Sequence, residues 1–252
     1  MTRGGAIDLN ADVGEGCGFD DELVPLVSSV NIACGAHAGD EGTMRRAVEL
    51  ALRHGVAIGS HPGFADRENF GRKELSINPA AAAGLVLGQT RLLEGIAASL
   101  GARVGHVKLH GALYNMAARD PVLAGAIVAA LVGDGEVPGS RRVLVALAGS
   151  VLASIGREKG LVVRGEAFAD RSYRGDGSLT PRSEPGALIA DESAAAAQAV
   201  RIARDGTVVA TDGSVISVEA DTICIHGDSP ATVVFARQVR LHLEASGVTI
   251  GL

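Results

Sequence analysis

Seven short runs of β-branched and aliphatic residues, each followed by a stretch of helical periodicity, leave this chain few ways to fold. The runs are Ala6 to Leu9, Val30 to Ala33, Val56 to Ile58, Val104 to Leu109, Val143 to Leu147, Leu161 to Val163 and Thr222 to Ile225. Most are continuously apolar, as strands are when a sheet is covered on both faces. The helical stretches have legible ends. Asp40 precedes a segment whose Met44, Ala47, Val48 and Ala51 recur at helical spacing, and Gly55 stops it. Asn78-Pro79, Asp120-Pro121 and Ser229-Pro230 are cap-then-proline starts, and Ser150 and Asp191 are further caps. Gly101, Gly133, Gly160, Gly206 and Gly247 stand where helices should end, and a short helix is expected near Asp21 to Val27. Between 207 and 220, two β-rich runs flank Thr211-Asp212-Gly213-Ser214, a hairpin signal. Repeated strand-then-helix units without a break in composition predict one α/β domain over residues 1–252. The architecture expected is an irregular seven-stranded (β/α) barrel, with a doubly wound open sheet as the alternative. Either fold puts chemistry at the carboxyl ends of the strands.

Composition narrows the partners. With 47% hydrophobic residues, no Trp, five Phe and two Tyr, the core must be built from small aliphatic side chains that let helices pack close to a sheet. A net charge of -6 with scattered Lys and Arg argues against nucleic acid or an anionic membrane as partner. No apolar run reaches the length of a membrane span and the amino terminus lacks a signal-like apolar region, so a cytoplasmic protein is expected. Cys17, Cys34 and Cys224 are widely spaced and form no Cys-x-x-Cys pair, so reduced thiols are expected. Cys34, three residues before His37, is a candidate nucleophile only if the fold brings the two together.

The polar residues are not scattered. His106 to Asn115 reads H-V-K-L-H-G-A-L-Y-N, and strand alternation puts His106, Lys108 and His110 on one face with Val107 and Leu109 on the other. Five of the seven histidines, His37, His61, His106, His110 and His226, fall in or just beyond the carboxyl end of an expected strand. Asp8, Asn10 and Asp12 alternate along the first strand, Asn31 lies in the second, Glu166 and Asp170 follow the sixth, and His226-Gly227-Asp228 follows the seventh. Any one of these could be a cap or a hydrogen-bonded core group; their convergence at strand ends is what indicates a site. Glycine-rich stretches follow the strands, at Gly14 to Gly18, Gly35 to Gly39, His61 to Arg72 and Arg164 to Pro185, where backbone must approach a ligand closely. There is no Gly-Lys-Ser or Gly-Lys-Thr and no dinucleotide fingerprint. Asp12, His61 and His110 are conceivable zinc ligands, but their spacing lacks a metal signature and no metal is assigned.

Six separated blocks carry a family resemblance: Asp8 to Glu15 (DLNADVGE), Asn31 to Asp40 (NIACGAHAGD), Gly59 to Phe64 (GSHPGF), Val107 to Asn115 (VKLHGALYN), Glu166 to Tyr173 (EAFADRSY) and Ile225 to Asp228 (IHGD). Together they resemble the LamB/YcsF family over nearly the whole chain. That resemblance implies a seven-stranded barrel akin to the glycoside hydrolase/deacetylase superfamily. It implies hydrolysis of the cyclic amide 5-oxoproline to glutamate with ATP as co-substrate, beside 5-oxoprolinase subunits B and C (PxpB, PxpC). The roles expected are His110 or His61 as general base, Lys108 as oxyanion or phosphoryl stabiliser, and Asp12 as the residue orienting a histidine. Asn10, Asn31, His37, Arg72 and Glu166 are expected to bind substrate. Removing Lys108 or His110 is expected to abolish most turnover without unfolding the protein. The competing readings are a metal-dependent deacetylase of amino sugars and a non-catalytic scaffold subunit.

Overall fold

The computed structural model describes residues 6–134, 142–225 and 232–252. Seven strands close into a barrel: β1 (Asp8–Val13), β2 (Ser29–Ala33), β3 (Ala57–His61), β4 (Val104–Lys108), β5 (Val143–Leu147), β6 (Val163–Phe168) and, after an inserted hairpin of β7 (Thr207–Val209) and β8 (Val215–Ser217), β9 (Thr222–Ile225). Neighbours in the barrel are all parallel, and β1 pairs with both β2 and β9, which closes the ring and rules out the open sheet. The Asp212-Gly213 turn joins β7 to β8 in antiparallel register, with Val208 opposite Ile216. Among the described residues no single helix is long and apolar enough to cross a membrane.

Helices α1 (Asp20–Leu23), α2 (Glu41–His54), α3 (Pro79–Ser99), α4 (Gly111–Arg119), α5 (Pro121–Asp134), α6 (Val151–Glu158), α7 (Glu192–Asp205) and α8 (Thr232–Ala245) accompany the strands. Their ends follow the local chemistry. Asp40 accepts from the Thr43 amide while the Thr43 hydroxyl accepts from the Asp40 amide, a reciprocal cap, and Gly55 takes up a left-handed conformation to end α2. Asn78, Asp120, Ser150 and Asp191 cap α3, α5, α6 and α7 as expected. Gly133 is an exception, because α5 continues through it to Asp134. Gly111 also does more than break a strand: α4 begins there, just past the carboxyl end of β4. The cap expected at Ser229-Pro230 lies outside the described residues.

Side chains alternate sharply across the barrel wall. Leu9, Ala11, Val13, Val30, Ile32, Ile58, Val107, Leu144, Ala146, Ala167, Ile223 and Ile225 are all buried with helix residues such as Met44, Val48, Ala51, Val86, Leu93 and Ala199 in one apolar cluster. Each Val, Leu, Ile or Met side chain buried this way contributes about 1.5–3 kcal/mol. The opposite set, Asp8, Asn10, Asp12, Ser29, Asn31, His61, His106, Lys108, Glu166 and Thr222, is equally buried but polar. This two-faced character explains the strand boundaries. Apolar runs alone suggested Ala6 to Leu9 and Leu161 to Val163, whereas β1 continues to Val13 and β6 runs from Val163 to Phe168, because polar residues of the inner face interrupt the apolar pattern there.

Candidate functional site

The polar set is organised by register. Asp12 lies opposite Asn31, Asn31 opposite Gly59, and Gly59 opposite His106, so four neighbouring strands contribute one layer. Gly59 supplies no side chain, and the His106 ring occupies that space: a Cβ on Gly59 would stand 2.0 Å from His106 Nε2. His106 Nε2 thereby reaches Asn31 Oδ1 at 2.9 Å. The Asn31 amide donates to both Asn10 Oδ1 and Asp12 Oδ1, each at 2.8 Å. Asn10 in turn donates to Thr222 Oγ1 at 2.6 Å and Glu166 Oε1 at 3.1 Å. Below this layer the Asp8 carboxylate accepts from the hydroxyls of Ser28, Ser29 and Thr222.

Lys108 crowns the network. Its ammonium lies 2.9 Å from Asp12 Oδ1, 2.8 Å from Glu166 Oε1, 3.3 Å from Asn10 Oδ1 and 3.0 Å from Cys224 Sγ. Burial alone would favour the neutral amine, but Asp12, Cys224 and Glu166 outweigh it and hold the Lys108 pKa well above its usual range. Lys108 is therefore a permanent cation and cannot serve as a base. His106, fully enclosed beneath it, is pushed down to about 3 by burial and by the positive charges of Arg164 and Lys108, so it is a neutral hydrogen-bonding group.

Above Lys108, three histidines and a glutamate meet. His61 Nδ1 lies 2.9 Å from the Lys108 carbonyl and His110 Nε2 lies 2.8 Å from the Phe70 carbonyl. A carbonyl only accepts, so each of those nitrogens carries the hydrogen and the other ring nitrogen of each neutral histidine is bare. The two bare nitrogens, His61 Nε2 and His110 Nδ1, face each other at 3.0 Å. Asp12 Oδ2 is 3.3 Å from His61 Nε2, and Glu15 Oε1 is 3.5 Å from His110 Nδ1 and 3.4 Å from His37 Nε2. The His37 ring stacks on His110 with centroids 3.7 Å apart. Burial lowers the pKa of both His37 and His110, and in His110 the neighbouring His61 and His37 add to it. Phe70, whose carbonyl accepts the hydrogen bond from His110 Nε2, has φ of 54°, a left-handed conformation costly for an aromatic residue.

The site opens into a cavity of about 890 Å³ whose floor includes Asp12, Glu15, His61, Lys108, His110 and Tyr114. Its walls carry Arg72, Arg119, Arg171, Arg174 and Arg182. Arg119 pairs with Glu74 and Arg174 with Glu184, while Arg171 ties the loop after β6 together through the Thr180 and Ala187 carbonyls. Arg72 lies over the Phe70 ring, 4.9 Å from its centroid.

All nine residues singled out from the sequence thus gather at the carboxyl end of the barrel, but at three depths. Asp12, His61, Lys108 and His110 reach the cavity floor, and Arg72 stands on its wall. Asn10, Asn31 and Glu166 lie beneath Lys108, with their hydrogen-bonding groups turned to one another and to Lys108. His37 lies behind His110. Two further floor residues, Glu15 and Tyr114, were present in the sequence blocks but not singled out. Glu15 could have been noticed as the lone carboxylate among the glycines after β1. Tyr114 could not, since only the helical turn of α4 aims it back at the cavity. Cys34 is not a nucleophile: it is buried, its thiol donates to the Ile32 carbonyl, and burial pushes its pKa up to about 12. His226 and Asp228 lie outside the described residues.

The LamB/YcsF family model matches residues 7–251. The chain belongs to the LamB/YcsF family. This member is 51% identical over 250 residues to the 5-oxoprolinase A subunit of Bordetella parapertussis, covering 97% of this chain and 98% of that protein. The corresponding protein of Bordetella pertussis is equally similar, at 51% identity over the same shares of both chains. Among solved structures, the lactam utilization protein of Thermus thermophilus superposes with a TM-score of 0.89 at 44% identity, covering 98% of this chain and 99% of the other. The peptidoglycan deacetylase PdaC of Bacillus subtilis superposes at 0.51 with 10% identity, covering 98% of this chain and 86% of the other, a likeness of fold.

Proposed function

We propose that this LamB/YcsF member is the ring-opening component of an ATP-dependent 5-oxoprolinase, hydrolysing an activated form of 5-oxoproline to L-glutamate. The observation that carries the reading is one cavity floor bearing both a buried, permanently charged ammonium, Lys108, and two histidines whose bare nitrogens face each other above it. Identity of 51% to proteins of that name supplies the reaction. Opening a five-membered lactam runs against an intramolecular reclosure whose effective molarity reaches about 10⁵ M or more, which is why ATP must be coupled to it.

In this reading the His61–His110 pair takes the proton of the attacking water, and Lys108 stabilises the negative charge that develops on the lactam carbonyl oxygen or its phosphorylated form. Asp12 spans the two, one oxygen toward Lys108 and the other toward His61, and so fixes their relative position. Asn10, Asn31 and Glu166 act through Lys108 rather than on substrate, while the arginines of the cavity wall attract the substrate carboxylate or a phosphoryl group. The cavity is at the upper end of the range for drug-sized ligands, which run to about 1,000 Å³, and leaves room for more than a bare lactam. The sequence has no P-loop, so ATP is handled with subunits B and C, and the reaction belongs in the cytoplasm, where ATP is available.

The test is glutamate release from 5-oxoproline by the chain alone and with subunits B and C, each with and without ATP. Release only with partners and ATP is expected. Release from the chain alone without ATP would overturn the coupled reading. Acetate release from acetylated amino sugars, measured in parallel, would replace it with the deacetylase.

A further inference from the structure

Three side chains at the cavity floor, Glu15, His61 and His110, each point an acceptor atom at one small volume. The carbonyls of Lys108 and Phe70 hold the N–H of His61 and His110 on their far sides, leaving two lone pairs facing each other at 3.0 Å. Glu15 Oε1, whose side chain is only 5% exposed, has no hydrogen-bond partner among the described residues and lies 3.5 Å from His110 Nδ1. Asp12 Oδ2 lies beside the set, 3.3 Å from His61 Nε2. The ligand atoms of Glu15, His61 and His110 all lie within 4.8 Å of one another.

These separations have a physical meaning. Ligands bound tetrahedrally at about 2.0–2.1 Å stand about 3.3 Å apart, close to the 3.0 Å between the two histidine nitrogens and the 3.5 Å from Glu15 to His110. Metal-bound histidines donate their remote N–H to a carbonyl or carboxylate, which fixes ring and tautomer, and both histidines do so. The charge also fits. Glu15 sets a carboxylate, its side chain 5% exposed, beside the two imidazoles, and a bound dication would offset its charge. Two imidazoles and a carboxylate are a donor set suited to zinc and its first-row neighbours rather than to magnesium or calcium.

We infer that Glu15, His61 and His110 form a binding site for one divalent first-row cation, zinc foremost, at the mouth of the barrel. Glu15 comes from the loop after β1, His61 from β3 and His110 from the residue before α4, so the site exists only once the barrel has closed. It stands whichever amide is hydrolysed; a loaded site would take up the two nitrogens assigned above to the base and move that role off His61 and His110, whereas its failure would leave the ring-opening reading untouched.

The experiment uses the purified full-length chain, stripped with a chelator and reloaded with zinc. Metal content is read by mass spectrometry, affinity by competition with a chromophoric chelator, and geometry from the visible spectrum of the cobalt-substituted protein. About one zinc per chain is expected, with Glu15→Gln and His110→Ala each weakening affinity on the order of 100-fold. Glu15→Gln keeps the shape of the side chain, and an unchanged circular dichroism melt of its metal-free form will show that it folds. Cys17→Ser, which removes the thiol nearest the loop, should bind as the parent does. Substoichiometric zinc in the parent, parent-like affinity in both ligand variants, or loss of binding in Cys17→Ser would each overturn the site.

Discussion

The His106 ring fills the space that a side chain at position 59 would take, its Nε2 only 2.0 Å from where a Cβ on Gly59 would stand. Alanine at 59 must therefore drive His106 away from Asn31 and break the layer that supports Asp12 and Lys108. Gly59→Ala is expected to destabilise the fold by about 2 kcal/mol or more and to lower activity of the reconstituted enzyme. Urea denaturation reads the first effect. Parent-like stability would show that the layer adapts to the extra methyl.

Lys108 couples catalysis to folding. Its burial between Asp12 and Glu166 bears directly on the expectation that it can be removed without unfolding the protein. Lys108→Met takes the ammonium from between two buried carboxylates and should cost about 3–5 kcal/mol of stability, besides a loss of turnover on the order of 10²-fold or more. Activity must therefore be measured where thermal melts show the variant folded. Lys108→Met with full activity would remove Lys108 from the chemistry.

Tyr114 offers a cleaner separation of the two effects. Its hydroxyl is buried, lies at the cavity floor and has no hydrogen-bond partner among the described residues. Burial first, and then the Glu166 carboxylate, raise its pKa well above the usual phenol range, so it remains a donor. Tyr114→Phe removes an unsatisfied group and should leave stability unchanged or raise it by up to about 1 kcal/mol. If the hydroxyl meets the substrate, kcat/KM should nonetheless fall about tenfold or more. Unchanged kinetics would place the hydroxyl outside the reaction.

Acid stability should depend on Asp134, far from the cavity. Burial would raise its carboxyl, but hydrogen bonds from Arg91 and Arg142 prevail and hold the pKa below its ordinary value of 3.8. A carboxylate depressed in the folded state contributes stability that is complete above the unfolded pKa and is lost as pH falls through the folded one. Asp134→Asn should thus be less stable than the parent by about 2 kcal/mol at pH 7, with the gap closing as pH falls below the ordinary carboxylate value of 3.8. A gap that persists in acid would trace the loss to packing rather than to charge.

The alternation of apolar runs with capped helices determined the seven strands, most helix ends, the Asp212-Gly213 hairpin and the clustering of histidines at strand ends, because these depend on neighbours within a few residues. Asp40, Asn78 and Ser150 read correctly as caps for that reason. Tertiary structure alone decided closure, which needs β1 to meet β9 across almost the whole length of the chain. It also decided depth. Asn10 and Asp12 alternate along one strand face, yet only Asp12 reaches the cavity, since the barrel wall is deeper than one residue pair. The meeting of Glu15 with His61 and His110 was likewise invisible in sequence: a loop and two strand ends supply them, and their spacing along the chain carries no trace of the 3.0 Å and 3.5 Å that separate neighbouring atoms in space.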